Sequence, residues 1–196
     1  PAGPDALPTL RRAWAEAGAL GVPLQVALVL GEGAAEGLER LVGALGEMRP
    51  RVAEWLVFGA GEPATSARTA EFARRRLAAY DPAIPVGGGA RTHFTELNRN
   101  RPPVGALDLL AYAVTPQVHA FDNASLVETL AAQPVTVESA RAFAGGRPIA
   151  VGPVMLRPRL NPAATGPEPP PPPGALPREV DPRQMSLFGA GWTLGS

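Results

Sequence analysis

Apolar residues recur at helical spacing from Ala6 to Leu20, where Leu7, Leu10, Trp14, Ala17 and Leu20 share one face and Arg11, Arg12 and Glu16 fall between them. That spacing predicts an amphipathic helix, closed by Gly18 and Gly21. Leu24 to Leu30 is almost wholly apolar and of strand length, the pattern of a strand covered on both faces and hence of a parallel sheet. The unit then repeats. A helix is predicted from Ala34 to Met48, a second apolar strand from Val52 to Phe58, and a helix from Ser66 to Tyr80 with Thr65 or Ser66 as its N-cap. Further strands are predicted at Ile84 to Gly88, Asp108 to Val114 and Pro148 to Met155, with helices at Ala124 to Gln133 and Val137 to Ala144 between the last two.

Strand starts near residues 24, 52, 84, 108 and 148 are spaced at about the 31 residues per unit of an eight-unit β/α barrel. The fold class read from this is α/β, a (β/α)8 TIM-barrel type with parallel strands, of which five to six of the eight units are present. An open doubly wound sheet has similar units, but no Gly-x-Gly-x-x-Gly turn joins a strand to a helix here. Gly87-Gly88-Gly89 is followed by polar residues and is expected to turn the backbone tightly at a strand end. A proline-rich stretch at 161–182, with five consecutive prolines from Pro169 to Pro173, reads alone as a polyproline II linker or docking motif. The apolar, helix-like Gln184 to Leu194 beyond it favours a long surface loop inside one domain, 1–196.

Composition narrows the function classes. All 18 basic residues are Arg, matched by 18 Asp and Glu. Zero net charge argues against nucleic-acid and anionic-membrane partners, which need excess positive charge. The absence of Cys removes disulfides, thiolate metal sites and Cys nucleophiles. No window is long and apolar enough for a membrane span, so a cytoplasmic protein is expected. The chain starts at Pro1 and stops inside a predicted helix, which points to a piece of something longer.

In a parallel barrel the active site forms at the C-terminal ends of the strands. Polar residues collect there: Glu32 after Gly31 at the end of the first strand, Glu62 after the second, Arg91, Thr92, His93, Thr95, Glu96, Asn98 and Arg99 after the third, Gln117, His119, Asp122 and Asn123 after the fourth, and Arg157, Arg159 and Asn161 after the fifth. Both histidines fall in this set, and His titrates near neutrality. Residues 92–101 offer many donors and acceptors and suit a ligand with several hydroxyls; internal pairing of Glu96 with Arg99 or Arg101 explains them equally well. Glu62 precedes a proline and reads equally as a helix cap. No cofactor is expected; a divalent metal on His93, His119 and a carboxylate stays open. Gly-x-Ser-x-Gly and His-Glu-x-x-His are absent.

Phe94 to Pro103, Pro116 to Leu130, Ser139 to Phe143, Asn161 to Pro167 and Asp181 to Ala190 together resemble the D-apionate lactonase family over most of the chain from Leu20. The resemblance implies a bacterial enzyme of branched-sugar catabolism that opens a sugar-acid lactone on a glycosidase-like barrel. Glu96, Glu62 and His119 are then the candidate general bases, and Arg99 or His93 the oxyanion donor. Asn98, Gln117, Asp122, Asn123 and Arg157 are candidate substrate-binding residues for the small-molecule lactone. Two other readings stay open. One is a barrel glycoside hydrolase with Glu62 as acid/base; the other is a non-catalytic carbohydrate-binding or docking module.

Overall fold

The computed structural model describes residues 6–117, 119–158, 160, 172–177 and 180–196. Five strands, β1 (Leu24–Leu30), β2 (Val52–Gly59), β3 (Val86–His93), β4 (Leu110–Val114) and β5 (Ile149–Val154), form one sheet in the order β1-β2-β3-β4-β5. Every neighbouring pair is parallel. The sheet curls into a half-barrel of the expected α/β class. Helices α1 (Ala6–Leu20), α2 (Ala34–Met48), α3 (Ala67–Leu77), α4 (Phe94–Arg99), α5 (Asn123–Glu128), α6 (Gln133–Arg141) and α7 (Leu187–Gly195) complete it.

Strand alternation explains the two cores. Trp55 and Val57 of β2 face outward and pack with Val86 against Leu38 and Leu45 of α2 and Ala73 and Leu77 of α3. Leu56 and Phe58 face inward and meet Leu109, Ala111 and Ala150 across the curl. From Trp55 to Phe58 both faces of β2 are thus buried, as that apolar run requires. Leu45 and Val57 are fully buried, each contributing about 1.5–3 kcal/mol.

β3 departs from expectation: it starts later than predicted and runs on to His93, so the glycines lie inside the strand. Space explains this better than turning. A Cβ on Gly88 would sit 2.6 Å from Thr65 Oγ1 and 2.8 Å from Thr65 Cβ, and one on Gly89 would sit 2.1 Å from Ala111 O. β2 and β3 pair directly only at Trp55 with Val86 and Leu56 with Gly87. Beyond that point buried Thr65 stands between them. Its hydroxyl donates to Val57 O at 2.6 Å and accepts from Gly89 N at 3.0 Å, while its own N–H donates to Gly89 O at 2.9 Å.

The helices predicted at 124–133 and 137–144 redistribute into α5, a 3-10 turn at Thr129–Ala132, and α6. Pro134 is the cause, since proline is favoured in a helix's first turn and disrupts its interior. Most of the proline-rich stretch, 161–171 and 178–179, lies outside the described residues. Beyond it, buried Asp181 accepts from Gln117 Nε2 at 2.6 Å and from Arg183 Nε and Nη2 at 3.0 and 2.9 Å. Trp192 of α7 packs on Leu126 and Leu156, its Nε1 donating to Leu126 O at 2.8 Å.

Gly88→Ala is expected to lower stability by about 1–3 kcal/mol through overpacking against Thr65, read as a lower denaturant midpoint. Gly43→Ala, in α2 with open space around it, should not lower it; equal midpoints for the two variants would refute the crowding. The guanidinium of Arg183 holds the Asp181 carboxyl well below the ordinary carboxylate range, with Gln117 adding to the effect. A carboxyl depressed in the folded state contributes stability above its unfolded pKa of about 4, and that contribution is lost as pH falls towards the folded value. Asp181→Asn should therefore cost roughly 3 kcal/mol at pH 7 and flatten the stability profile below about pH 5. Parallel profiles would contradict the assignment.

Candidate active site at the strand ends

The upper ends of β2, β3 and β4 carry the polar residues. Glu62 follows β2 and folds back over Gly59, where a Cβ would lie 2.3 Å from its carboxyl carbon. It accepts from Ser66 N at 3.1 Å, Ser66 Oγ at 2.8 Å and Thr69 Oγ1 at 2.9 Å. Burial alone would raise its pKa, but these donors outweigh it and the net shift is downward. Glu62 is therefore an ionised carboxylate serving the unsatisfied N–H groups at the start of α3, the cap reading of its position.

β3 is continuous with α4, so residues 94–99 are helical and not a loop. Glu96 projects from α4 and is held by Arg99 Nη1 at 3.1 Å and Asn100 Nδ2 at 3.2 Å. Asn98 accepts from Arg101 Nη2 at 3.1 Å, and both Asn98 and Arg99 are exposed. The internal pairing of this cluster is realised, for Arg99 with Glu96.

Between β3 and β4 the register shifts. Gly89 faces Ala111 and His93 faces Ala113, so Ala90, Arg91 and Thr92 span what Tyr112 alone spans on β4. Such bulges re-aim side chains at barrel rims. Ala90 packs outward with Leu97, Tyr112 and Ala140; the register returns His93, opposite Ala113, to the face that Gly89 shares with Ala111, and Arg91 lies midway between the two in the bulge. Among the described residues, the buried His93 Nδ1 has no hydrogen-bond partner.

After β4, Gln117 is buried on Asp181, and Asn123 Oδ1 accepts from Arg183 Nη1 at 2.8 Å. Gln117 and Asn123 thus join one network through Asp181 and Arg183, which sequence reasoning did not place in the site. The Asp-Pro-Arg turn was its available signal. Asp122 caps α5, accepting from Ser125 N at 3.0 Å and Ser125 Oγ at 2.7 Å, and these bonds lower its pKa. His119 lies exposed in the β4–α5 loop, with no hydrogen-bond partner among the described residues. Arg157 is half-buried just beyond β5. Among the described residues no group of three or more His, Asp or Glu is placed to hold a metal ion, and no helix is long and apolar enough to cross a membrane.

Comparison with known proteins adds the family. A solved GH26 beta-mannanase from Bacteroides ovatus is similar at a TM-score of 0.44 and 12% identity, over 77% of this chain and 56% of that one. The D-apionate lactonase of Brucella anthropi is 40% identical over 81 residues, which make up 41% of this chain and 13% of the relative. The matched stretch is thus a small part of that relative's length. The family model described as D-apionate lactonase, TIM barrel domain, matches residues 1–196. Five consecutive parallel strands curled into a half-barrel agree with this match, and the chain belongs to the D-apionate lactonase TIM barrel domain family.

Proposed function

We propose that this domain hydrolyses the lactone of a sugar acid of the D-apionate type to the open acid. The family match over the whole chain carries the reading. The strand ends supply chemistry that suits it. Of the three candidate bases, Glu62 and Glu96 are each held by donors of their own helix or its start, whereas His119 is exposed and unengaged among the described residues.

In this reading His119 removes a proton from water as its oxygen attacks the lactone carbonyl carbon. The carbonyl oxygen gains negative charge, and a ring N–H of His93 donates a hydrogen bond to it. The tetrahedral intermediate then collapses. The bond from the acyl carbon to the ring oxygen breaks, and the departing oxygen takes the proton held by His119. Water and lactone become one hydroxy acid, and the imidazole returns to its starting state.

Purified protein is expected to turn over aldonolactones, and His119→Gln to lower kcat by about 10²–10⁴-fold with an unchanged melting temperature. Full activity in His119→Gln together with loss in Glu96→Gln would move the base to Glu96. Failure of the wild type to open any aldonolactone would sink the reading. Glu62→Gln is expected to act on the fold, costing about 1 kcal/mol through the weakened α3 cap, seen as a lower melting temperature.

A further inference from the structure

Among the described residues, the half-buried arginines have partners, with one exception. Arg74 donates to Asp108 Oδ2 at 2.7 Å, and Arg76 stacks over Phe72 with its guanidinium carbon 3.8 Å from the ring centroid. Arg147 donates to Val104 O at 2.9 Å, Arg183 is bound to Asp181, and Arg157 is engaged as well. Arg91 is half-buried like these, yet among the described residues no carboxylate, carbonyl or ring meets its guanidinium.

An unpaired, partly desolvated cation is costly to a fold. Burial pushes the Arg91 pKa below its ordinary value, with no neighbouring anion to restore it. Arg91 is the middle residue of the three that span Tyr112 in the bulge, two residues from Gly89 and two from His93. Among the described residues, His93 also has a polar atom without a partner. A guanidinium is a planar fork whose paired N–H groups match the two oxygens of a carboxylate.

We propose that Arg91 is the anchor for the carboxylate of the open sugar acid, gripping the oxygen pair that ring opening creates beside His93. The assignment rests on the lactonase reading for the identity of the acid, but not for the existence of the anion site. In the lactone the fork meets one strong acceptor, the carbonyl oxygen, and a ring oxygen that accepts only weakly. As water adds and the ring bond breaks, that oxygen and the one from water become the carboxylate, so Arg91 binds later species along the reaction better than the lactone. A sugar acid should therefore bind and inhibit, and a polyol of the same size should not.

The test uses sodium D-apionate and the corresponding neutral polyol as probes, with binding measured by calorimetry on wild type, Arg91→Gln and Arg91→Lys. Wild type is expected to bind the acid and not the polyol. Arg91→Gln should weaken acid binding at least tenfold, Arg91→Lys should recover part of the loss, and the melting temperature of Arg91→Gln should stay level or rise. A merely structural arginine would lower the melting temperature and leave acid affinity alone. Equal affinity in Arg91→Gln and wild type, or no acid binding by wild type, overturns the anchor. If wild type binds the acid through Arg91 but opens no lactone, the anchor stands and the lactonase reading falls. If it opens lactones while Arg91→Gln binds the acid normally, the reverse holds.

Discussion

Thr65 stands where β2 and β3 stop pairing with each other. Its hydroxyl and its backbone N–H take up Val57 O and both backbone groups of Gly89, so two strands that part company leave none of these groups unpaired. Three polar groups buried without partners would cost about 1–3 kcal/mol each, a large share of the stability of a domain this size. The wedge needs room, and Gly88 and Gly89 provide it by having no Cβ to collide with Thr65 or with the Ala111 backbone. With β3 no longer locked to β2, it bulges against β4 over Ala90 to Thr92. One buried hydroxyl thus links the separation of two strands to the aim of Arg91 and His93.

The charge arithmetic of the whole chain conceals a local bias. Formal charge sums to zero, but the carboxylates that follow β2, β3 and β4, and Asp181, are engaged by local donors, while Glu32 after β1 is exposed. Glu62 serves α3, Asp122 serves α5, Glu96 holds Arg99 and Asn100, and Asp181 holds Arg183 and Gln117. Asp108 ties Val86 N and Arg74 together at the opposite, N-terminal end of the strands; burial would raise its pKa, but these donors bring it down. Among the described residues, β3 leaves the Arg91 guanidinium and His93 Nδ1 without partners. A free guanidinium beside committed carboxylates suits the stabilisation of negative charge, the charge that the proposed ester hydrolysis develops.

Much of the fold was legible in the pattern of apolar positions. β1 and α2 run over the predicted residues, because a run such as Leu24 to Leu30 admits little but a strand covered on both sides. β3 was not legible, because glycine in sequence signals a turn, a bulge or a close approach alike, and the neighbour that decides between them, Thr65, is 24 residues away from Gly89. The candidate site was legible as a region rather than as roles. Glu62, Gln117 and His119 do follow β2 and β4 as their positions suggested, whereas His93 is the last residue of β3. Sequence could not show that Gln117 is spent on Asp181, 64 residues away, or that Glu62 is drawn back onto α3. Arg91 sat in the polar set but drew no role, because an arginine is singled out by the absence of a partner, which is a property of space.

The dependence of the β3 rim on Thr65 is tested most directly by native-state amide hydrogen exchange at Gly89 in wild type and in Thr65→Val, which keeps the shape of the side chain and removes the hydroxyl. Gly89 should lose protection worth about 1–3 kcal/mol, with faster exchange spreading through Ala90 to His93 while β1 keeps its protection. Equal protection of Gly89 in the two proteins would show that the strands hold each other without Thr65.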